Sequence, residues 1–281
     1  MITGYLTIND YFCYNKITVT YLYETHLHTA GVSKCAVSRG ADYIAGYKDL
    51  GYSGIIVTDH FFNANCALPR NLPWKEWVNR FYRGYEDTRE EGERLGLDVF
   101  FGWEETFDGC DDYLVYGLGK EWLLEHPEVR SWTRGEQYRA VKEAGGCVVQ
   151  AHPFRQRYYI KRVILSTGCV DAVEVANGGN DDISDIMALR YAKKLGKPMT
   201  SGTDIHDASM IYNGELFGVY LNTKLKTIAD YVKIILNNEI AGIKADQSRM
   251  DIFSDETVSL PVEVRDENDR ITGRDWKEYV Y

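Results

Sequence analysis

Apolar and polar positions along this chain follow two alternating rhythms. "ITVTYLYE" (17–24) repeats every second residue, as a strand does, and "GIIVTDH" (54–60) is a short unbroken apolar run, as a buried strand is. Between them, "SRGADYIAGYKDLG" (38–51) has helical spacing, with Ser38 as its N-cap and Gly51 as its stop. The alternation continues with a helix over 73–96, strands over 97–105 and 112–119, a helix near 133–145, strands over 146–153 and 170–177, and a helix over 184–195. It ends at "KPMTSGTDIHD" (197–207). Strands of four to eight apolar residues separated by helices predict an α/β fold of parallel βαβ units. Residues 1–17 read as a polar, Tyr-rich extension or short hairpin, and the pattern fades over 223–281. No linker, repeat or low-complexity run divides the chain, so the reading is one domain over 1–281.

Composition narrows the function classes. A length of 281 residues is ample for a real core, and 44% apolar with 26% charged residues is ordinary for a soluble globular protein. A formal charge of −10 argues against neutralising nucleic-acid phosphates or docking on anionic lipid. The six cysteines (13, 35, 66, 110, 147, 169) show no C-x-x-C pairing, which predicts free thiols in a reducing compartment. With neither a basic-then-apolar start nor an 18-residue apolar window, a cytoplasmic, untethered protein is expected.

The candidate chemistry lies in the histidines. In "YETHLHTA" (23–30), Glu24, His26 and His28 share one face of a strand. Alone, H-x-H is weak. Yet His26, His28, His60, His152 and His206 all fall at C-terminal ends of expected strands, accompanied by Asp59, Glu104, Glu105 and Asp204, while His126 reads as a surface residue. In barrels of parallel strands those ends converge on one face. Imidazole and carboxylate donors without thiolate suit Zn, Mn, Fe or Co better than Mg or Ca. Glu105 competes with Glu104 as a ligand, and Glu24 is either an orienting partner for an imidazole or a plain buried glutamate.

The ordered set "HLH" (26–28), "TDH" (58–60), "GWE" (102–104), "AHPFR" (151–155) and "GTDIH" (202–206) resembles the PHP (polymerase and histidinol phosphatase) family of metal-dependent phosphoesterases. The resemblance spans about residues 18–206 and implies a distorted, TIM-like (β/α)7 barrel. It also implies that His26, His28, Glu104 and Asp204 hold one ion, that His152 holds a second bridged by Glu104, and that His60 and His206 hold a further one. Where many members carry a His or Asp after the second histidine, this chain has Lys34; where many carry a His after the glutamate, it has Asp112 or Tyr113. Two divalent transition-metal ions are therefore expected, three at most.

The function these readings predict is hydrolysis of a small-molecule phosphate ester by a hydroxide on bridged cations, as in a histidinol-phosphatase-like phosphomonoesterase. Glu104, His206 and Arg155 are the catalytic candidates. Arg155, through its planar fork, with Arg157, Lys34 and Asn177, are the candidates for binding a small phosphorylated substrate. The loop 61–73 is a candidate wall or lid, and the aromatic stretch after Leu72 reads as core. Two alternatives stand: an amidohydrolase-type barrel, disfavoured by the Asp204-x-His206 pair, and a noncatalytic metal-binding regulatory barrel.

Overall fold

The computed structural model describes residues 6–7, 20–107, 110–246, 249 and 258–281. Its elements run β1 (Leu6–Thr7), β2 (Tyr21–Leu27), α1 (Gly40–Asp49), β3 (Gly54–Val57), α2 (Trp74–Phe81), α3 (Arg83–Leu95), β4 (Asp98–Thr106) and β5 (Asp112–Tyr116). They continue with α4 (Lys120–Glu125), α5 (Arg134–Glu143), β6 (Cys147–Ala151), β7 (Val163–Ser166), β8 (Ala172–Asn177), α6 (Asp182–Leu195) and β9 (Met199–Gly202). Last come β10 (Gly218–Leu221), α7 (Ile228–Leu236), β11 (Gly242–Lys244) and β12 (Val262–Arg265). Most of the expected extension over 1–17 lies outside the described residues; Leu6 and Thr7 pair antiparallel with Ile243 and Gly242.

Local chemistry explains the helix ends. The Asp181 side chain accepts from Ser184 N to start α6, and Gly196 ends it in the left-handed conformation. Thr133 and Glu136 form a capping box on α5. Two expectations are corrected here. Arg39, not Ser38, caps α1, because the Ser38 hydroxyl accepts from Ala208 N instead. The expected helix over 73–96 is two helices meeting at Tyr82.

Ten strands form one sheet in the order β1-β11-β10-β2-β3-β4-β5-β6-β8-β9. The chain just past β9 returns to β2. Asp204 N donates to His26 O at 2.8 Å, His28 N donates to Ile205 O at 3.1 Å, and Leu27 bridges Ile205 in parallel. This closes a ring of seven strands, β2 to β6 with β8 and β9, to which β10, β11 and β1 are appended, so the fold is a distorted TIM-like α/β barrel. Within the ring one strand departs from the all-parallel expectation, β5, which runs antiparallel to both β4 and β6; the appended β10, β11 and β1 are antiparallel as well. Residues 107–111 are too few for a crossover, so the chain can only turn back as a hairpin. That reversal sets Asp112, the first residue of β5, opposite Thr106 and Ala151, at the same end where its parallel neighbours finish.

The barrel interior is filled by Tyr23, Ile56, Leu114, Tyr116 and Val149, against which α7 packs Val232 and Ile235. Outside, Phe61, Trp77, Phe81 and Trp103 form an aromatic cluster in which Trp77 stacks on Phe81 with centroids 5.0 Å apart. The aromatic stretch after Leu72 is core, as expected. The strand pair β7–β12 brings residues 163–166 beside 262–265. The five described cysteines are free. Among the described residues no helix is long and apolar enough to cross a membrane.

Candidate metal centre

The strand ends carry the site. His26 and His28 stand in and just after β2, His60 follows β3, Glu104 lies in β4, His152 follows β6, and Asp204 and His206 follow β9. All seven are drawn together in overlapping groups: His26, His28 and Glu104; His26, His152 and Asp204; His28, His60 and His206. A further group joins Glu104 and His152 to Asp112, which the reversed β5 delivers. Tyr113, the next residue on that strand, points the other way into the aromatic cluster.

Glu104 is the hub. Its Oε1 lies 3.2 Å from both His26 Nε2 and His152 Nε2, and its Oε2 lies 3.4 Å from His28 Nε2 and 2.7 Å from His60 Nδ1. The neighbouring Glu105 faces away. Its Oε1 accepts from Asn63 N and Thr106 N, and burial pushes its carboxyl up to about 8. Asp204 completes the cluster, with Oδ1 3.1 Å from His28 Nε2 and Oδ2 2.8 Å from Arg155 Nη2. His152 and Asp204 hold φ of 29° and 55°, a left-handed conformation that costs non-glycine residues about 1–3 kcal/mol and persists where the surroundings impose it.

The surroundings fix the imidazoles. His26 Nδ1 is 3.0 Å from Glu174 Oε1, which accepts a hydrogen bond from Nδ1–H and turns Nε2 inward. His28 Nδ1 donates to Ser33 Oγ at 3.1 Å, because the Ser33 hydroxyl itself donates to Asp59 Oδ1. With both rings neutral, the two Nε2 lone pairs would face each other at 3.1 Å, an arrangement that a shared cation would stabilise. His60 Nδ1 and Glu104 Oε2 are buried 2.7 Å apart as an ion pair, and among the described residues neither atom makes a well-aligned hydrogen bond. These orphaned donors fit transition-metal ions. Without ions the charges compete. Burial and the adjacent Glu104 push Asp112 up to about 7. Burial opposes ionisation of Glu104 too, but His26 and His60 outweigh it and hold that carboxyl well below its usual range.

Other expected residues are placed differently. Glu24 does not orient an imidazole: it accepts from His26 N, Tyr47 Oη and Thr203 N, tying β2 to α1 and to the segment after β9. Asp59 holds Thr29 and Ser33. Asn177 is fully buried, its Oδ1 accepting from Arg155 Nη2 at 2.6 Å and its Nδ2 donating to Glu174. It braces the site rather than facing the cavity. Arg157 is exposed and bonds Gly179 O, and Lys34 is exposed; neither lines the central cavity. Glu174 was missed by sequence reasoning, although a carboxylate inside the apolar run "VDAVEVAN" was its signal.

The centre opens into a cavity of about 580 Å³, whose walls include His60, Glu104, Asp112, His152, Asp204 and His206. Arg155 lies on its wall, using Nε and Nη2 for Asn180, Asn177 and Asp204. The loop 61–73 contributes Asn63, Ala64 and Asn65.

No family model matches the chain, and no curated protein matches it. Among solved structures it is similar to a two-domain protein from Bacteroides vulgatus containing a predicted PHP-like metal-dependent phosphoesterase, with 16% identity over 79% of this chain and 64% of that one and a TM-score of 0.57. It is also similar to PsfC from Pseudomonas syringae, with 16% identity, 82% and 93% coverage and a TM-score of 0.50. A third similar structure is a lesion-specific endonuclease from Pyrococcus furiosus, with 12% identity, 88% and 75% coverage and a TM-score of 0.52. The chain thus spans less than two thirds, 64%, of the length of the Bacteroides protein. These likenesses establish the fold, a barrel of the PHP type.

Proposed function

We propose that this chain is a metal-dependent hydrolase acting on a small phosphate monoester. The observation that carries the reading is Glu104, each of whose carboxylate oxygens lies between two imidazole nitrogens. His26, His28, Glu104 and Asp204 would hold one divalent ion, Zn, Mn or Fe, and Glu104, His152 and Asp112 a second. His60 and His206, with His28, offer a third position. When bound, such ions activate water near neutral pH and offset phosphate charge.

The chain's own groups supply the rest. Arg155 keeps Nη1 free of hydrogen bonds to the described residues and presents it to a nonbridging phosphate oxygen, while its other nitrogens hold the fork in place. His206 bonds Asp204 O through Nδ1 at 2.7 Å, and is 28% exposed. With two ions in the first two positions, its Nε2 would be left to protonate the leaving oxygen. Arg157 and Lys34, outside the cavity, serve at most as attracting charges on the approach. The free thiols suit a reducing cytoplasm, and the overall charge of −10 favours a small substrate over nucleic acid.

The test is elemental analysis of protein purified without chelator, paired with p-nitrophenyl phosphate hydrolysis on the same sample. About two ions per chain, and activity lost on chelation and restored by Mn or Zn, are expected. Metal without turnover of any phosphate ester would point to another hydrolytic class or to a regulatory role; failure to bind metal would overturn the centre itself.

A further inference from the structure

Tyr158 is fully exposed and Tyr159 is 48% exposed, yet both line the cavity above Glu104 and Arg155. They occupy the middle of a turn in which Ile160 N donates to Arg157 O, and the preceding turn ties Arg155 N to His152 O. The two rings meet edge to face, 5.3 Å between centroids at 88°. Neither hydroxyl has a hydrogen-bond partner among the described residues. Tyr158 buries none of its side chain in the fold and Tyr159 only about half. They offer a planar ligand one face and one edge. The segment around them, "RQRYYIKR" (155–162), carries exposed Arg157, Lys161 and Arg162 in a chain of charge −10.

We propose that Tyr158 and Tyr159 form a stacking platform for the base of a nucleoside monophosphate whose phosphate is held at Arg155 and the metal centre. This rests on the phosphoesterase reading and names its substrate class. A base beside a phosphate monoester is also the chemistry of a nucleic-acid strand end. The acidic chain, which repels a polyanion beyond the local basic segment, favours the free nucleotide.

The experiment compares kcat/KM for adenosine 5′-monophosphate and for ribose 5-phosphate on the metal-reconstituted full chain. It uses the unsubstituted protein, the Tyr158→Ala/Tyr159→Ala double variant and the corresponding double Phe variant. Base stacking on an aromatic ring predicts a preference for the nucleotide of about tenfold or more. That preference should collapse toward one in the Ala variant and survive in the Phe variant. A ratio near one in the unsubstituted protein, or one that the Ala pair leaves intact, would overturn the platform. Preference for a 5′-phosphorylated oligonucleotide over the mononucleotide would overturn the free-nucleotide assignment. Calorimetric titration with adenosine 5′-monophosphate reads binding independently of turnover. Nucleotide binding that the Ala pair abolishes supports the platform even if no phosphate ester is hydrolysed, an outcome that counts against the parent reading alone; absence of binding overturns the platform.

Discussion

Glu174 Oε1 lies 3.0 Å from His26 Nδ1, with both side chains fully buried. The carboxylate fixes which imidazole nitrogen keeps its proton and makes the other a better donor to a cation. Glu174→Gln is expected to weaken metal binding about 10- to 100-fold while leaving the circular dichroism spectrum intact. Competition against a chromophoric chelator measures it, and equal affinity in the two proteins would remove Glu174 from the centre.

His152 reaches Glu104 from the strand beyond the reversed β5 and is the imidazole of the second donor group. His152→Ala should lower the metal content by one ion per chain and cut turnover by about a hundredfold or more, since a lost cation removes several kcal/mol of charge stabilisation. Unchanged stoichiometry with unchanged turnover would sink the ligand assignment.

Arg155 binds Asp204 and is braced by Asn177 and Asn180. Arg155→Lys keeps a positive charge but loses the planar fork, so KM for a phosphate ester should rise about tenfold. Arg155→Ala should do more damage, because Asp204 then loses a buried partner. Steady-state kinetics on both variants separate fork from charge; a Lys variant indistinguishable from the parent would mean the fork does not touch phosphate.

Asp185 gives a pH prediction away from the ions. Its Oδ1 accepts from Asn180 Nδ2 at 2.9 Å and from Asn177 N at 3.3 Å, and burial lifts its carboxyl from 3.8 to about 7. The folded chain therefore keeps a proton that the unfolded chain releases above its ordinary range, and folding stability falls as pH rises from about 4 to about 7. Asp185→Asn removes that dependence. Melting temperatures across this window should show the variant gaining on the parent as pH rises, whereas parallel curves would contradict it.

Gly84 in α3 faces the turn after β2. A Cβ there would meet Thr29 Oγ1 and Asp59 Oδ2, the pair that secures Ser33 and through it His28. Gly84→Ala should cost about 1–3 kcal/mol in chemical denaturation and weaken metal binding as well, because the displaced atoms support a ligand. A variant that loses stability but binds metal normally would uncouple the helix from the centre.

How far the sequence revealed this arrangement depends on what each feature encodes. Five histidines at strand ends were visible because a parallel strand's end is marked by where its apolar run stops. The reversal of β5 was not, since alternation of side chains carries no direction; only the brevity of 107–111 hinted at it. Asp112 was accordingly noted as a departure from a family pattern, and its approach to His152 depends on the antiparallel register. Asn177 and Glu174 are three residues apart in β8, and polarity alone does not say which reaches the imidazole. The β7–β12 pair joins segments about a hundred residues apart, a relationship no local window contains.

The ring closes through the same backbone that carries the ligands: His26 O and His28 N on one side, Asp204 N and Ile205 O on the other. Some 176 residues of chain separate the two sides, so this seam carries one of the larger loop-closure costs in the molecule. Closing the barrel therefore also brings His26 and His28 to Asp204, while Glu104, Asp112 and His152 meet across neighbouring strands. A cation bound across His26, His28 and Asp204 would act as a clasp on that joint. Its departure would loosen the first joint to open, and amide exchange should be fastest to respond there, at the seam, before the rest of the ring registers the loss.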